Sequence, residues 1–174
     1  MVPFPHRFIK DIGGIAAVEF ALIVPVMLVM LTGTMELSNY MMAARRVGGA
    51  AHAAAALISQ ETDLTSSELS EIFQAARLIM EPFDDTDLTL GAVSVRYDDD
   101  TGDPTEDWSG NYNGGSVSNA TTLATGLGSA GESVIIVTAT FAYTPVLAIV
   151  LTGTYTLSDT AITRPRYIDY VGLY

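Results

Sequence analysis

The chain has 174 residues, 49% of them apolar and 16% charged, with 20 Asp plus Glu against 8 Lys plus Arg and a formal net charge of −12. A positive mean hydropathy of +0.33 beside that acidity means that the apolar and the charged residues occupy different parts of the chain. The absence of cysteine excludes disulfides, thiolate metal sites and cysteine nucleophiles, the one lysine (Lys10) leaves none for a P-loop or a Schiff base further on, and the stretch without a basic residue between Arg96 and Arg164 speaks against nucleic acid as a partner.

The apolar residues concentrate near the N-terminus. Residues 15–31 read IAAVEFALIVPVMLVML, with Glu19 as the one charge, and residues 32–35 extend the run. About 20 residues of helix cross the roughly 30 Å of bilayer hydrocarbon, so 15–35 reads as a membrane-spanning helix. His6, Arg7 and Lys10 against Asp11 precede it, which by the positive-inside rule keeps the N-terminus in the cytoplasm and the bulk of the chain outside. Two other readings compete. A cleaved signal peptide needs a prompt small-residue cleavage site, and Ala51-His52-Ala53 comes about twenty residues too late. A plain signal anchor leaves Glu19 unexplained, because an ionised side chain in a span costs on the order of 2–3 kcal/mol or more without a partner. Pro25 lacks an amide donor and loosens the turn before it.

Gly13-Gly14-Ile15-Ala16-Ala17-Val18-Glu19-Phe20-Ala21-Leu22, running on to Pro25, resembles the processing and assembly motif of the TadE-like pseudopilins of tight-adherence, or Flp-type, pilus systems. The resemblance covers roughly residues 10–50. It implies that a prepilin peptidase cuts after Gly14, that Ile15 becomes the new N-terminus, and that Glu19 stands fifth in the mature chain, followed by the aromatic Phe20. Many relatives carry tyrosine there, so Phe20 is a small departure. Arg164-Pro165-Arg166 looks like the Arg-Pro-Arg ending common among TadE and TadG relatives. The resemblance further implies other pilin and pseudopilin subunits, the prepilin peptidase and the bacterial inner membrane as partners.

Beyond the span, residues 36–59 remain rich in alanine and methionine, strong helix formers, and the helix is expected to continue to about Ser59 with Gly48-Gly49 as a flex point. The stripe of Ala43, Ala44, Gly48, Ala51 and Ala55 suits either close approach by another helix or packing on the chain's own domain. Thr65-Ser66-Ser67-Glu68 has the form of a capping box and opens an amphipathic helix through Leu69, Ile72, Phe73 and Ala76, ended by Pro82. Residues 89–97 alternate as a strand. Residues 98–107 hold six acids and open a Gly-, Asn- and Ser-rich stretch to Gly131, expected as a long surface loop with a short strand around Trp108 pairing back onto 93–97. Its spacing departs from the EF-hand pattern, with Gly102 fifth and Asp103 sixth from Asp98, which favours a solvated loop over an irregular calcium site.

Residues 133–158 carry no charge. A second membrane span is one reading, with Arg164 and Arg166 behind it. The alternation of Ile135, Val137, Ala139, Phe141 and Tyr143 with Ile136, Thr138, Thr140, Ala142 and Thr144 favours a strand, an apolar turn through Leu151 and a second strand over 154–163. His6 and His52 are too few and too far apart for zinc, and no nucleophile elbow surrounds Ser109 or Ser133. No catalytic residue, metal ligand or cofactor is expected.

The expected architecture is therefore α+β. A leader (1–14), a transmembrane helix (15–35), its extramembrane continuation (36–59) and an extracytoplasmic head (60–174) of one helix on a small antiparallel sheet follow in order. The expected function is that of a minor pilin or pseudopilin in tight-adherence pilus assembly, with Gly14 and Ile15 for processing and Glu19, Phe20 and Pro25 for assembly. The alternative is an unprocessed, single-pass anchored binding domain.

Overall fold

The computed structural model describes residues 12–174, with side chains from Gly14 onward. His6, Arg7, Lys10 and Asp11, on which the expected orientation rests, lie outside the described residues, as does most of the expected leader. The chain forms two compact units, one of Met1–Asn39 with Pro145–Gly153 and one of Tyr40–Thr144 with Thr154–Tyr174. Helix α1 (Ile12–Ile58) runs through both, and Pro25 lies inside it without ending it. Its last carbonyls are taken up by a tightened turn in which Gln60 N–H donates to Leu57 O at 3.1 Å, and by the Gln60 side chain, whose Nε2 donates to Ala56 O at 2.8 Å.

In the first unit, the inner part of α1 presents apolar side chains outward all round, Val18, Leu22, Val26 and Met30 among them. Such a surface suits lipid and not water. Two hydroxyls that interrupt it are satisfied locally, since that of Thr32 donates to Leu28 O at 2.9 Å and that of Thr34 to Met30 O at 2.8 Å. Among the described residues α1 is the one helix long and apolar enough to cross a membrane.

The second unit is built on an antiparallel sheet ordered β3-β2-β4-β5, from β2 (Leu88–Tyr97), β3 (Pro104–Tyr112), β4 (Ser133–Tyr143) and β5 (Tyr155–Thr163). One face packs on helices. Leu88, Leu90, Ala92, Ile135, Val137, Ala139 and Phe141 join Leu69, Phe73 and Ala76 of α2 (Ser66–Arg77) and Ala43, Val47, Ala51, Ala54 and Ile58 of α1 in one core. The alanine stripe is thus buried on the chain's own domain, and small side chains bring the helix close to the sheet. A Cβ at Gly48 would lie 2.4 Å from Oδ2 of Asp159, so that position tolerates no side chain without movement.

The other face explains the uncharged run at 133–158. Outward-facing hydroxyls pair across β4 and β5, Thr138 with Thr160 at 2.9 Å and Thr140 with Ser158 at 3.1 Å, while the alternate residues enter the core. Period-2 chemistry of this kind makes a half-buried hairpin, and the two-strand reading holds over the second span.

Two expectations need correction. The stretch 98–131 is not one long loop, because β3 pairs with β2 through eight residue pairs and a short helix α3 (Ala120–Ala124) follows. Acid-rich residues form the edge strand β3, where charges protect an open ladder, and a bulge between Ser94 and Val95 absorbs the irregularity. Strand β2, read as alternating, is buried on both faces in its central part, since Ala120 and Ala124 cover Val93, Val95, Tyr97, Val134 and Ile136. The Tyr97 hydroxyl donates to Ala124 O, tying α3 down.

The tail is sewn onto the second unit. Short strand β6 (Gly172–Leu173) pairs parallel with β1 (Asp63–Leu64), Trp108 Nε1 donates to Val171 O at 2.7 Å, and Ser133 N donates to Asp169 O at 2.7 Å.

Candidate assembly segment and its boundary

The sequence-derived site residues lie along α1 and are not gathered into a pocket. Ile15 and Phe20 are each 69% exposed, Gly14 and Glu19 are exposed, and a Cβ at Gly14 would meet nothing within 4 Å. Packing gives no reason for glycine at that position. Ile15 and Glu19 stand four residues apart, about 6 Å along the axis and on one face of the helix. Pro25 removes one donor from the ladder, so the carbonyl of Ala21 lacks its helical partner.

The outer end of the apolar stretch holds a carboxylate that sequence reasoning missed. Glu36 is 2% exposed and accepts the amide hydrogens of Ile149 at 2.8 Å, Val150 at 2.9 Å and Leu151 at 2.8 Å. One helical turn earlier, Gly33 leaves room for Val150, whose Cγ2 lies 3.0 Å from where a Cβ would stand. The available signal was slight. Glu36 is the one acid between Glu19 and Glu61, and 145–151 is a run of seven uncharged, mostly bulky apolar residues.

The acidic turn after β2 uses its charges internally. Asp98 accepts from the amides of Thr101 at 2.8 Å and Asp100 at 3.0 Å and from the Thr101 hydroxyl at 3.1 Å, while Asp99 pairs with Arg96 at 3.4 Å. Among the described residues, no three or more His, Cys, Asp or Glu side chains converge as a metal site. Arg164 of the Arg-Pro-Arg sequence pairs with Glu132 at 3.5 Å and donates to Leu127 O, and Arg166 N donates to Ser59 O at 2.9 Å. These two residues guide the tail back past the end of α1.

A long N-terminal apolar helix leading into an antiparallel α+β domain is the build of an α+β protein whose one long apolar helix is compatible with single-pass membrane anchoring. Residues 14–56 match the family model of the TadE-like proteins, which contains all five sequence-derived site residues. The resemblance seen in the sequence therefore holds for that segment, and it connects the chain with tight-adherence pilus assembly, with pilin-type partners and with the membrane. No curated protein and no solved structure matches the chain.

Proposed function

We propose that this protein is a minor pilin or pseudopilin of a tight-adherence pilus, cut between Gly14 and Ile15 by a prepilin peptidase and acting in priming or at the tip. It is a substrate of an enzyme and not itself one. The observation that carries this reading is the Gly14, Ile15, Glu19, Phe20 and Pro25 series on an exposed apolar helix, within the TadE-like match. A glycine with open space around it supports a need set by a peptidase and not by packing.

In this reading the precursor sits in the inner membrane with its N-terminus in the cytoplasm and its head in the periplasm. Cleavage creates an ammonium at Ile15, which meets the Glu19 carboxylate of its own or of a neighbouring subunit. In a low-dielectric setting that attraction is much stronger than in water, but desolvation opposes it, so the pair sets register more than it adds net stability. The head is large beside the very short major pilins of such systems, which supports priming or tip placement over repetition along a shaft.

Mass spectrometry of the membrane-extracted protein tests the reading. An N-terminus at Ile15 is expected, and an intact Met1 would favour the unprocessed anchored domain instead.

A further inference from the structure

Strands β4 and β5 need only a short connection, since two to five residues close most hairpins. The chain instead spends residues 144–154 on it, and the apolar part faces outward. Val146 is 88% exposed, and Leu147, Ile149 and Val150 are each about half exposed. In water such a patch is a liability, and exposed apolar patches of this kind mark contact surfaces. Its position on α1 says what it contacts. Val150 lies against Gly33 and the amides of 149–151 end on Glu36, so the loop meets α1 within one turn of where the apolar stretch 15–35 ends. That stretch is about 30 Å long, the thickness of bilayer hydrocarbon, and its end marks the acyl-chain boundary.

Irregular backbone is excluded from lipid because its amides lack partners. Here three successive amides are satisfied by one carboxylate, and the carboxylate in turn is shielded by them. We propose that the loop Pro145–Gly153 is a second membrane-contacting element, which inserts Val146, Leu147, Ile149 and Val150 into the acyl-chain boundary of the leaflet at which α1 emerges, with Glu36 satisfying the amides of Ile149, Val150 and Leu151. This rests on α1 spanning the membrane, and it holds whichever side of the membrane the head occupies.

The chain has no native cysteine, so single-cysteine variants label at one position. The full-length V146C, V26C and T122C proteins, each carrying an environment-sensitive NBD dye, are reconstituted in phosphatidylcholine vesicles with lipids spin-labelled near the headgroup (5-doxyl) or deep in the chain (12-doxyl). V146C should show blue-shifted emission, quenched more by the shallow label. V26C should be quenched more by the deep label, and T122C by neither. Glu36→Gln should bring V146C quenching down by about half or more, because amides freed from the carboxylate must reach water. If V26C is lipid-exposed while V146C behaves like T122C, the loop inference is overturned and the span stands. Failure of V26C itself would overturn both. Shielding of V146C that needs an added pilin partner, without doxyl quenching, would assign the loop to a protein interface and overturn the lipid contact. Unchanged quenching in the Glu36→Gln protein would overturn the role given to Glu36.

Discussion

The carboxylate of Glu36 accepts the backbone amide of Leu151 at 2.8 Å across 115 positions of sequence, and it takes the two preceding amides as well. Three N–H groups on successive residues form a small concave anion site, and an acid on the helix fills it. The arrangement satisfies three amides of an irregular loop and, with them, a carboxylate that forms no ion pair among the described residues.

Replacing Glu36 by Gln keeps the shape but halves the acceptor capacity and removes the charge, and Glu36→Ala removes both. Hydrogen–deuterium exchange should therefore accelerate at Ile149, Val150 and Leu151 by roughly tenfold or more, with Ala above Gln, since opening this loop no longer breaks charge-assisted bonds. Amides in the centre of β4 serve as the unaffected reference.

The capping box gives a pH prediction. Thr65 N–H donates to Glu68 at 2.8 Å, the Thr65 hydroxyl donates to it at 2.9 Å, and Glu68 N–H donates back to that hydroxyl at 3.2 Å. The Thr65 amide first, and its hydroxyl second, lower the Glu68 carboxyl from its ordinary value, and the amides of Thr101 and Asp100 do the same for Asp98. A carboxyl lowered in the folded state stabilises fully above its unfolded value, about 4, and loses that contribution as pH falls through the lowered one. The melting temperature should drop between about pH 5 and pH 3. Glu68→Gln, which keeps an acceptor in the box but cannot ionise, should lower the neutral-pH melting temperature towards the level the unaltered chain reaches in acid and flatten the acid limb, whereas Thr65→Ala should cost about 1 kcal/mol at neutral pH.

What could be read in advance was local. The capping box, the period-2 hairpin strands and the apolar span each follow from spacing within a dozen residues or so, and each stands where that spacing puts it. The Glu36 contact was illegible because its donors are backbone amides, which every residue carries and no motif marks. Strand β3 was seen only around Trp108, since Glu106, Asp107, Gly110 and Asn111 have weak strand preference and pairing with β2 overrides it. The alanine stripe fitted two partners equally, and only the core of the second unit shows which one it meets.

Glycines in and beside β2 and β3 separate rigid from yielding neighbours. A Cβ at Gly115 would stand 2.4 Å from the backbone of Leu90, and one at Gly91 would stand 2.7 Å from the backbone of Ser116. At Gly110 the obstacle is the end of the Leu69 side chain at 2.3 Å, which has rotamers to use. Gly115→Ala should thus destabilise by about 3 kcal/mol and Gly110→Ala by about 1 kcal/mol, as measured by denaturant unfolding of the full chain in detergent.

Glu19 gives the prediction that separates assembly from anchoring. Anchoring gains nothing from an acid inside an apolar span and is opposed by its desolvation, so removing the charge should make insertion no worse. In the proposed reading, cleavage falls between Gly14 and Ile15, a helical turn before Glu19, and does not need the carboxylate as an acceptor. Register between subunits does, because an Ile15 ammonium without its carboxylate is left unpaired in a low-dielectric contact. Glu19→Gln should therefore be inserted and processed like the unaltered chain, while its recovery with partner pilins and its surface piliation fall at least about tenfold, the scale of one lost charge pair. Gly14→Val should give the complementary defect, an inserted precursor that keeps its leader, since a branched side chain replaces hydrogen where the peptidase must close on the backbone. Immunoblots for processing, co-purification with partner pilins and electron microscopy of surface fibres read the three steps independently. Normal piliation by Glu19→Gln would mean that the carboxylate does not serve assembly, and the anchored-domain reading would then explain the span better.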